Sequence, residues 1–322
     1  MTDASPELSI IIVSWNTRDL TLEAIRSAME QTTRTSYEMI VLDNASSDGS
    51  AQAIAEAFPD LYKFLPEDEN HGFAKANNIA AEHARGKYIL LLNPDTVTLD
   101  GAIDTLVDFA KAHPEAQIWG GHTVFGDRVT PNYTAIHRQM SLWSLFCQAT
   151  CTRPLFARIP RLCPEGYSPS EYRTEREVEC PTGAFFLITR DLWDKLGGFD
   201  LDYVMYGDDA DLCQRARAFG ARPRYTPKAN IVHYVGSSTS VRTDRIVMLY
   251  KAKTTMVRRF FSPLARPIGL ALFWITPLSR GTIYRVAGAL FRRERWRETG
   301  ASWLEVFRRR GEWMPGYPRR EA

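Results

Sequence analysis

The chain has no Gly-x-Gly-x-x-Gly and no Gly-x-x-x-x-Gly-Lys-Ser/Thr in its 322 residues. Neither of the two common backbone cradles for nucleotide phosphates is therefore available. It has five cysteines and no Cys-x-x-Cys pair, and the odd count argues against a disulfide framework. Cys147, Cys151, Cys163 and His137 match no standard zinc spacing, so all five thiols are expected to be reduced and structural. No uncharged run reaches the about 20 residues of a membrane-spanning helix. The runs between Arg138 and Arg153 and between Arg266 and Arg280 both fall short, so no transmembrane helix is expected. The first apolar run, Leu8 to Val13, follows an acidic leader with no basic n-region or cleavage site, and a cytoplasmic protein is expected.

What is present describes a globular chain: 44% hydrophobic, 11% aromatic and 24% charged residues exclude disorder and fibre architectures. The net charge of +2 conceals an asymmetry. Residues 245–322 hold 17 Lys and Arg against 5 Asp and Glu, a net +12, which leaves −10 on residues 1–244. A basic tail on an acidic body suits nucleic acid or an anionic membrane surface, and net charge does not choose between them.

Short apolar runs alternate with helical patterns through the first half, the signature of βα units and a mostly parallel sheet. Leu8–Val13, Met39–Leu42 and Tyr88–Leu92 read as strands covered on both faces. Leu22, Ile25 and Met29, then Ala51, Ile54, Ala55 and Phe58, repeat at helical spacing. Further on, 183–188 reads as another buried strand and Arg190–Leu196 as a helix stopped by Gly197-Gly198. Ligands of open α/β sheets bind at the carboxyl ends of strands. Here those ends are polar: Ser14-Trp15-Asn16, Asp43-Asn44-Ala45-Ser46-Ser47-Asp48-Gly49, and Asn93-Pro94-Asp95-Thr96. Three acids, Asp208, Asp209 and Asp211, open a later helix, more than its dipole calls for.

Over residues 7–240 the chain resembles the family 2 glycosyltransferases of the GT-A fold, especially rhamnosyltransferases. The resemblance rests on the order and spacing of the strand ends above, Asn70-His71-Gly72-Phe73-Ala74-Lys75-Ala76-Asn77-Asn78, Thr182-Gly183-Ala184, and Gly197-Gly198-Phe199-Asp200 through Gly207-Asp208-Asp209-Ala210-Asp211-Leu212. It implies an α/β fold of the GT-A nucleotide-diphospho-sugar transferase type: a mostly parallel central sheet flanked by helices, with a basic helical C-terminal extension. The domains expected are a catalytic domain over 1–240 and the extension over 241–322.

The resemblance also assigns roles. Asp43 matches the acid that accepts a pyrimidine N–H, a pairing suited to uracil or thymine; the alternative is a turn-forming Asx residue. Asn44 and Ser46 are expected to shape that turn. Asp95 is the expected ligand of a hard divalent cation, Mg2+ or Mn2+, that stabilises a departing diphosphate. Asn93 stands where the family motif Asp-x-Asp has its first acid, so one carboxylate is missing, and His233 either completes the metal site or is structural. Asp209 matches the general base that takes the acceptor's proton, with inversion at the anomeric carbon. Asp208 replaces the more usual Glu, and its like charge is expected to raise the base's proton affinity. Asp211 is expected to be a cap or scaffold carboxylate. Asn16, Asn93, Gly72 and Asn77 join the donor site, and Lys75 either touches the diphosphate or is a solvated helix lysine.

In the tail, Ile246, Leu249, Tyr250, Val257 and Phe260 recur at helical spacing among Lys251, Lys253, Arg258 and Arg259. The apolar 267–278 stretch and Arg292, Arg293, Arg295, Trp296 and Arg297 follow. The tail is either a basic amphipathic attachment to an anionic membrane surface or a helical extension packed on the protein. It carries no nucleic-acid recognition module, so nucleic acid is not an expected partner. The expected partners are a dTDP- or UDP-sugar donor, with dTDP-L-rhamnose favoured, and a glycan or polyprenyl-diphosphate-linked acceptor of the kind used in cell-surface polysaccharides. UDP-hexose or UDP-N-acetylhexosamine transfer and a nucleotide-sugar-binding protein without turnover are the alternatives. Between residues 120 and 180, Trp143, Phe146, Tyr167 and Tyr172 either stack on a sugar or fill a core.

Overall fold

A strand that is apolar at every position buries both faces only when helices cover both sides of its sheet. The computed structural model, which describes residues 5–157, 159, 162, 164–234 and 242–318, has that arrangement. The chain runs β1 (Leu8–Ser14), α1 (Arg18–Gln31), β2 (Tyr37–Asn44), α2 (Ser50–Ala57), β3 (Lys63–Glu67), α3 (Gly72–Glu82), β4 (Tyr88–Leu92), β5 (Thr96–Thr98), α4 (Ala102–Ala112) and β6 (Ile118–Val124). It continues with β7 (Ile136–His137), α5 (Leu142–Ala149), α6 (Arg153–Phe156), β8 (Arg176–Glu177), β9 (Cys180–Pro181), β10 (Phe185–Thr189), α7 (Arg190–Leu196), α8 (Asp208–Ala218) and β11 (Arg224–His233). Helices α9 (Arg242–Phe260), α10 (Ala265–Leu290), α11 (Glu294–Arg308) and α12 (Arg310–Trp313) follow.

The main sheet has the order β3-β2-β1-β4-β10-β6-β11-β5, with β8 on β11. Strands β3, β2, β1 and β4 are mutually parallel, as are β6 and β11, while β10 runs antiparallel between β4 and β6. Alternate residues of one strand serve opposite cores: Ile10 and Ile12 pack with Ile25, Leu106 and Trp119, while Ile11 and Val13 pack with Ala76, Ala80 and Leu212. The α1–β2 loop is tied to α4 by the buried Asp104 carboxylate, which accepts N–H bonds from Thr33 (2.9 Å), Arg34 (3.1 Å) and Thr35 (2.9 Å).

The described chain forms two compact units. The first holds the sheet and its helices: residues up to His137, Pro169–Leu201, and Asp208 through β11. The second holds Arg138–Ser168, Asp202–Gly207 and the helices from α9 on. The boundary expected at 240/241 lies outside the described residues, and the division is not linear along the chain. Its physical cause is the second unit's own core, in which Leu145 of α5 packs with Val247, Tyr250, Phe273, Trp303 and Trp313.

That core decides the fate of α9. Tyr250 and Val257, part of the apolar face that left surface attachment and packing on the protein both open, are buried inside the unit, and Lys253 pairs with Glu165 at 2.6 Å. Helices α10 and α11 approach closely. A Cβ on Gly281 would meet Leu304 side-chain atoms at 2.7 Å, and one on Gly300 would meet the backbone N of Arg285 at 2.8 Å. Cys147, Cys151, Cys180 and Cys213 are free thiols; Cys163 lies outside the described residues.

Candidate active site

Asp43, the penultimate residue of β2, is a buried carboxylate. Its Oδ2 accepts the N–H of Ser46 at 3.0 Å, closing an Asx-type turn, whereas its Oδ1 is buried with no hydrogen-bond partner among the described residues. A buried acceptor left open in this way asks for an N–H from elsewhere. The flanking polar residues brace loops. Asn16, at φ 51°, accepts the N–H of Ser47 at 2.7 Å, and its own N–H donates to Ser46 Oγ at 2.9 Å. Asn44 donates to Asn70 Oδ1 at 3.0 Å and accepts the N–H of His71 at 2.9 Å, which holds the 70–72 loop beside β2.

Asp95 and His233 meet because β5 pairs antiparallel with β11, placing Thr96 opposite His233. His233 Nε2 lies 3.4 Å from Asp95 Oδ1, and both residues are buried. The other ring nitrogen, Nδ1, is enclosed without a hydrogen-bond partner among the described residues. No cluster of three or more His, Cys, Asp or Glu side chains suited to a metal occurs among the described residues. A carboxylate oxygen and an imidazole nitrogen nevertheless form a donor set that fits Mg2+ or Mn2+ when diphosphate oxygens and water complete the shell.

Asp209 stands in the first turn of α8, and its Oδ2 accepts the N–H of Gly183 at 3.2 Å. The adjacent Ala184 carbonyl accepts the N–H of Asn93 at 3.1 Å. The turn ahead of β10 thus joins the Asn93–Asp95 loop to the start of α8, a link with no signal in residue spacing. Asp208 is buried, and its carboxyl is pushed up to about 7, first by burial and then by the charge of Asp209. The anticipated rise therefore appears on Asp208 itself. Asp211 pairs with Arg215 at 2.6 Å, and that guanidinium also donates to the carbonyls of Leu196 and Gly198 at 2.9 Å, anchoring α8 to the end of α7.

Two expected donor-site residues point elsewhere. Asn77 is buried in α3 and donates to the Phe73 carbonyl at 2.9 Å, because a buried amide in a helix must find a partner and the carbonyl four residues back is the nearest. Lys75 lies 3.6 Å from Glu69 and lines a cleft of about 420 Å³ with Trp193, Gly197 and Leu201, not with Asp43 or Asp95. Gly72 starts α3 at φ 73° and is held by Asn70 and Asn44. A second cleft, about 430 Å³, is lined by Asn16, Thr17, Arg18, Asp19, Leu20 and Asp48.

These groups share one edge. Asp43 lies at the carboxyl end of β2, Asp95 follows that of β4, His233 ends β11, which runs the same way, and the antiparallel β10 begins at that edge, where Phe185 faces Leu92. The sequence profile of Glycosyl transferase family 2 matches residues 9–167. That segment is a family 2 glycosyltransferase domain. Its Asp209 and His233 lie beyond the matched segment. Among relatives, N-acetylglucosaminyl-diphospho-decaprenol L-rhamnosyltransferase of Mycobacterium tuberculosis (strain CDC 1551 / Oshkosh) is 28% identical over 232 residues, covering 68% of this chain and 73% of the relative. Rhamnosyltransferase WbbL of Escherichia coli (strain K12) is 26% identical over 171 residues, 51% of this chain and 61% of that protein. In fold, the chain is similar to the mannosyltransferase PcManGT from Pyrobaculum calidifontis, solved with GDP-Man and Mn2+. The TM-score is 0.61 at 17% identity, over 97% of this chain and 88% of that one. The sheet is accordingly of the GT-A type and the chain is a glycosyltransferase.

The aromatic residues between 120 and 180 divide. Tyr167 and Tyr172 are buried, and Tyr172 donates to the Ile136 carbonyl at 3.1 Å, as core residues do. Trp143 and Phe146 are exposed and stack on each other with centroids 6.0 Å apart.

Proposed function

We propose that this glycosyltransferase is metal-dependent and inverting, and that it moves L-rhamnose from dTDP-L-rhamnose to a glycan on a polyprenyl diphosphate, at the cytoplasmic side of the membrane. The observation that carries the reading is the convergence of Asp43, Asp95, His233 and Asp209 on one sheet edge. The sugar and acceptor follow the names of the two relatives. The open Asp43 Oδ1 accepts the base N–H, which uracil and thymine offer alike, so a UDP-hexose or UDP-N-acetylhexosamine donor is the second reading.

In the transfer, Asp209 takes the proton of the acceptor hydroxyl as its oxygen attacks the anomeric carbon from the face opposite the diphosphate. The carbon–oxygen bond to the diphosphate breaks as the new glycosidic bond forms, with inversion. The N–H of Gly183 and the N–H of Ala210 hold the two Asp209 oxygens in place. Asp208, protonated over the acid range, keeps a second negative charge away from the base. Asp95 and His233 would hold Mg2+ or Mn2+, which when bound neutralises charge developing on the diphosphate.

Donor competition tests the reading. Wild-type protein is expected to transfer rhamnose in preference to glucose or N-acetylglucosamine. Asp209→Asn is expected to lower kcat roughly 100- to 10,000-fold with donor Kd unchanged. Full turnover in Asp209→Asn would remove the base assignment, preferred transfer from a UDP-sugar would replace the donor, and donor binding without any transfer would make the chain a binding protein.

A further inference from the structure

Helix α10 keeps one apolar face in solvent. Ile268, Ile275, Val286 and Leu290 are 41–73% exposed and fall within an arc of about 60° on a helical wheel. Exposed Ala271 and Thr282 widen the arc to about 100°, and no charged residue falls within it over roughly 33 Å of helix. The buried side of α10 is already occupied: Phe273 lies in the unit's core, and Gly281 packs against Leu304 of α11. The stripe is therefore a second face, unneeded for the unit's own folding.

Its C-terminal end continues into exposed Phe291 and Trp296, set among Arg292, Arg293 and Arg295. Among the described residues these three guanidiniums have no acidic partner. Apolar side chains flanked by aromatic rings and unpaired arginines match a bilayer surface, where apolar groups enter the acyl boundary and guanidiniums meet lipid phosphates. A second copy fits less well, because a two-fold contact would set two surfaces of the +12 region 245–322 against each other. Among the described residues no helix is long and apolar enough to cross a membrane. A helix lying in the plane of the interface is the geometry left.

We infer that the exposed stripe of α10 and the Phe291–Trp296 turn dock this protein on an anionic phospholipid surface. The inference is read without sugar transfer, so its failure leaves the donor and base assignments untouched.

Full-length protein is sedimented with vesicles of phosphatidylcholine alone and of equimolar phosphatidylcholine and phosphatidylglycerol. Binding to the anionic vesicles is expected, weakened by salt. It should fall roughly 100-fold in Arg292→Ala/Arg293→Ala/Arg295→Ala, at about fivefold for each basic residue. Val286→Glu/Leu290→Glu should abolish it without lowering Tm, since both positions are exposed. Wild-type protein remaining in the supernatant, equal binding to both vesicle types, or undiminished binding by either variant would overturn the inference. So would a solution dimer that Val286→Glu/Leu290→Glu splits into monomers without any vesicle binding, which would assign the face to a second copy.

Discussion

Asp208 and Asp209 are adjacent in the chain, yet their surroundings differ. Asp208 is buried beside its neighbour's charge, whereas Asp209 is half-buried and receives two backbone N–H groups. An aspartate in the unfolded chain titrates near 4, and Asp208 in the folded chain is pushed up to about 7. Between those values the folded state holds the extra proton, so this group's contribution is present in acid and is lost as pH rises through about 7. Asp208→Asn is expected to remove that loss. The Tm of wild type should fall relative to the variant from about pH 4 to about pH 7, and a constant difference would contradict the assignment. Resemblance picks out both acids and assigns the rise to the base; the rise falls on Asp208 instead, because desolvation depends on groups that are distant in sequence.

Asp104 works on the scale of elements. From its place in α4 it holds the loop between α1 and β2 by three backbone N–H groups. Burial opposes its charge, but the bonds from Thr33, Thr35 and Arg34 outweigh that cost and keep its carboxyl below the usual range. Its contribution is therefore present above about pH 4 and lost as pH falls through the depressed value. Asp104→Ala, which leaves buried donors open, is expected to cost about 2–4 kcal/mol in urea unfolding at neutral pH. The difference should narrow in acid, and a pH-independent difference would refute the charge's role. Single elements were legible in the chain: Tyr88–Leu92 and Arg190–Leu196 occur with the bounds their residue patterns predict. The α9 pattern was legible too, but amphipathic spacing does not say what covers the apolar side. That side is covered by the unit's own core, and the exposed stripe belongs to α10.

For the whole molecule, ligand binding to the folded state is the most direct measurement. A pyrimidine diphosphate at about 100 times its Kd adds about 2.7 kcal/mol, a rise of a few degrees in Tm. The dTDP shift is expected to be larger with Mn2+ or Mg2+ than without. Asp95→Ala should lose the metal-dependent part and keep the remainder, which rests on Asp43. No shift with dTDP or UDP, with or without metal, would contradict the donor site at its base.

The sequence by itself determined the βα alternation, the strands buried on both faces and the polar ends of β1, β2 and β4. It also determined, through the order of its motifs, the resemblance to family 2 glycosyltransferases. These are local patterns, written in residue type and period. Tertiary structure alone decided that His233 reaches Asp95, through a pairing of β5 with β11 across more than a hundred residues. It alone turned the Asn77 amide back on its own helix and divided the tail's apolar residues between core and solvent. Periodicity reports which side of an element is apolar. Which element meets that side is set by long-range packing, to which every other part of the chain contributes.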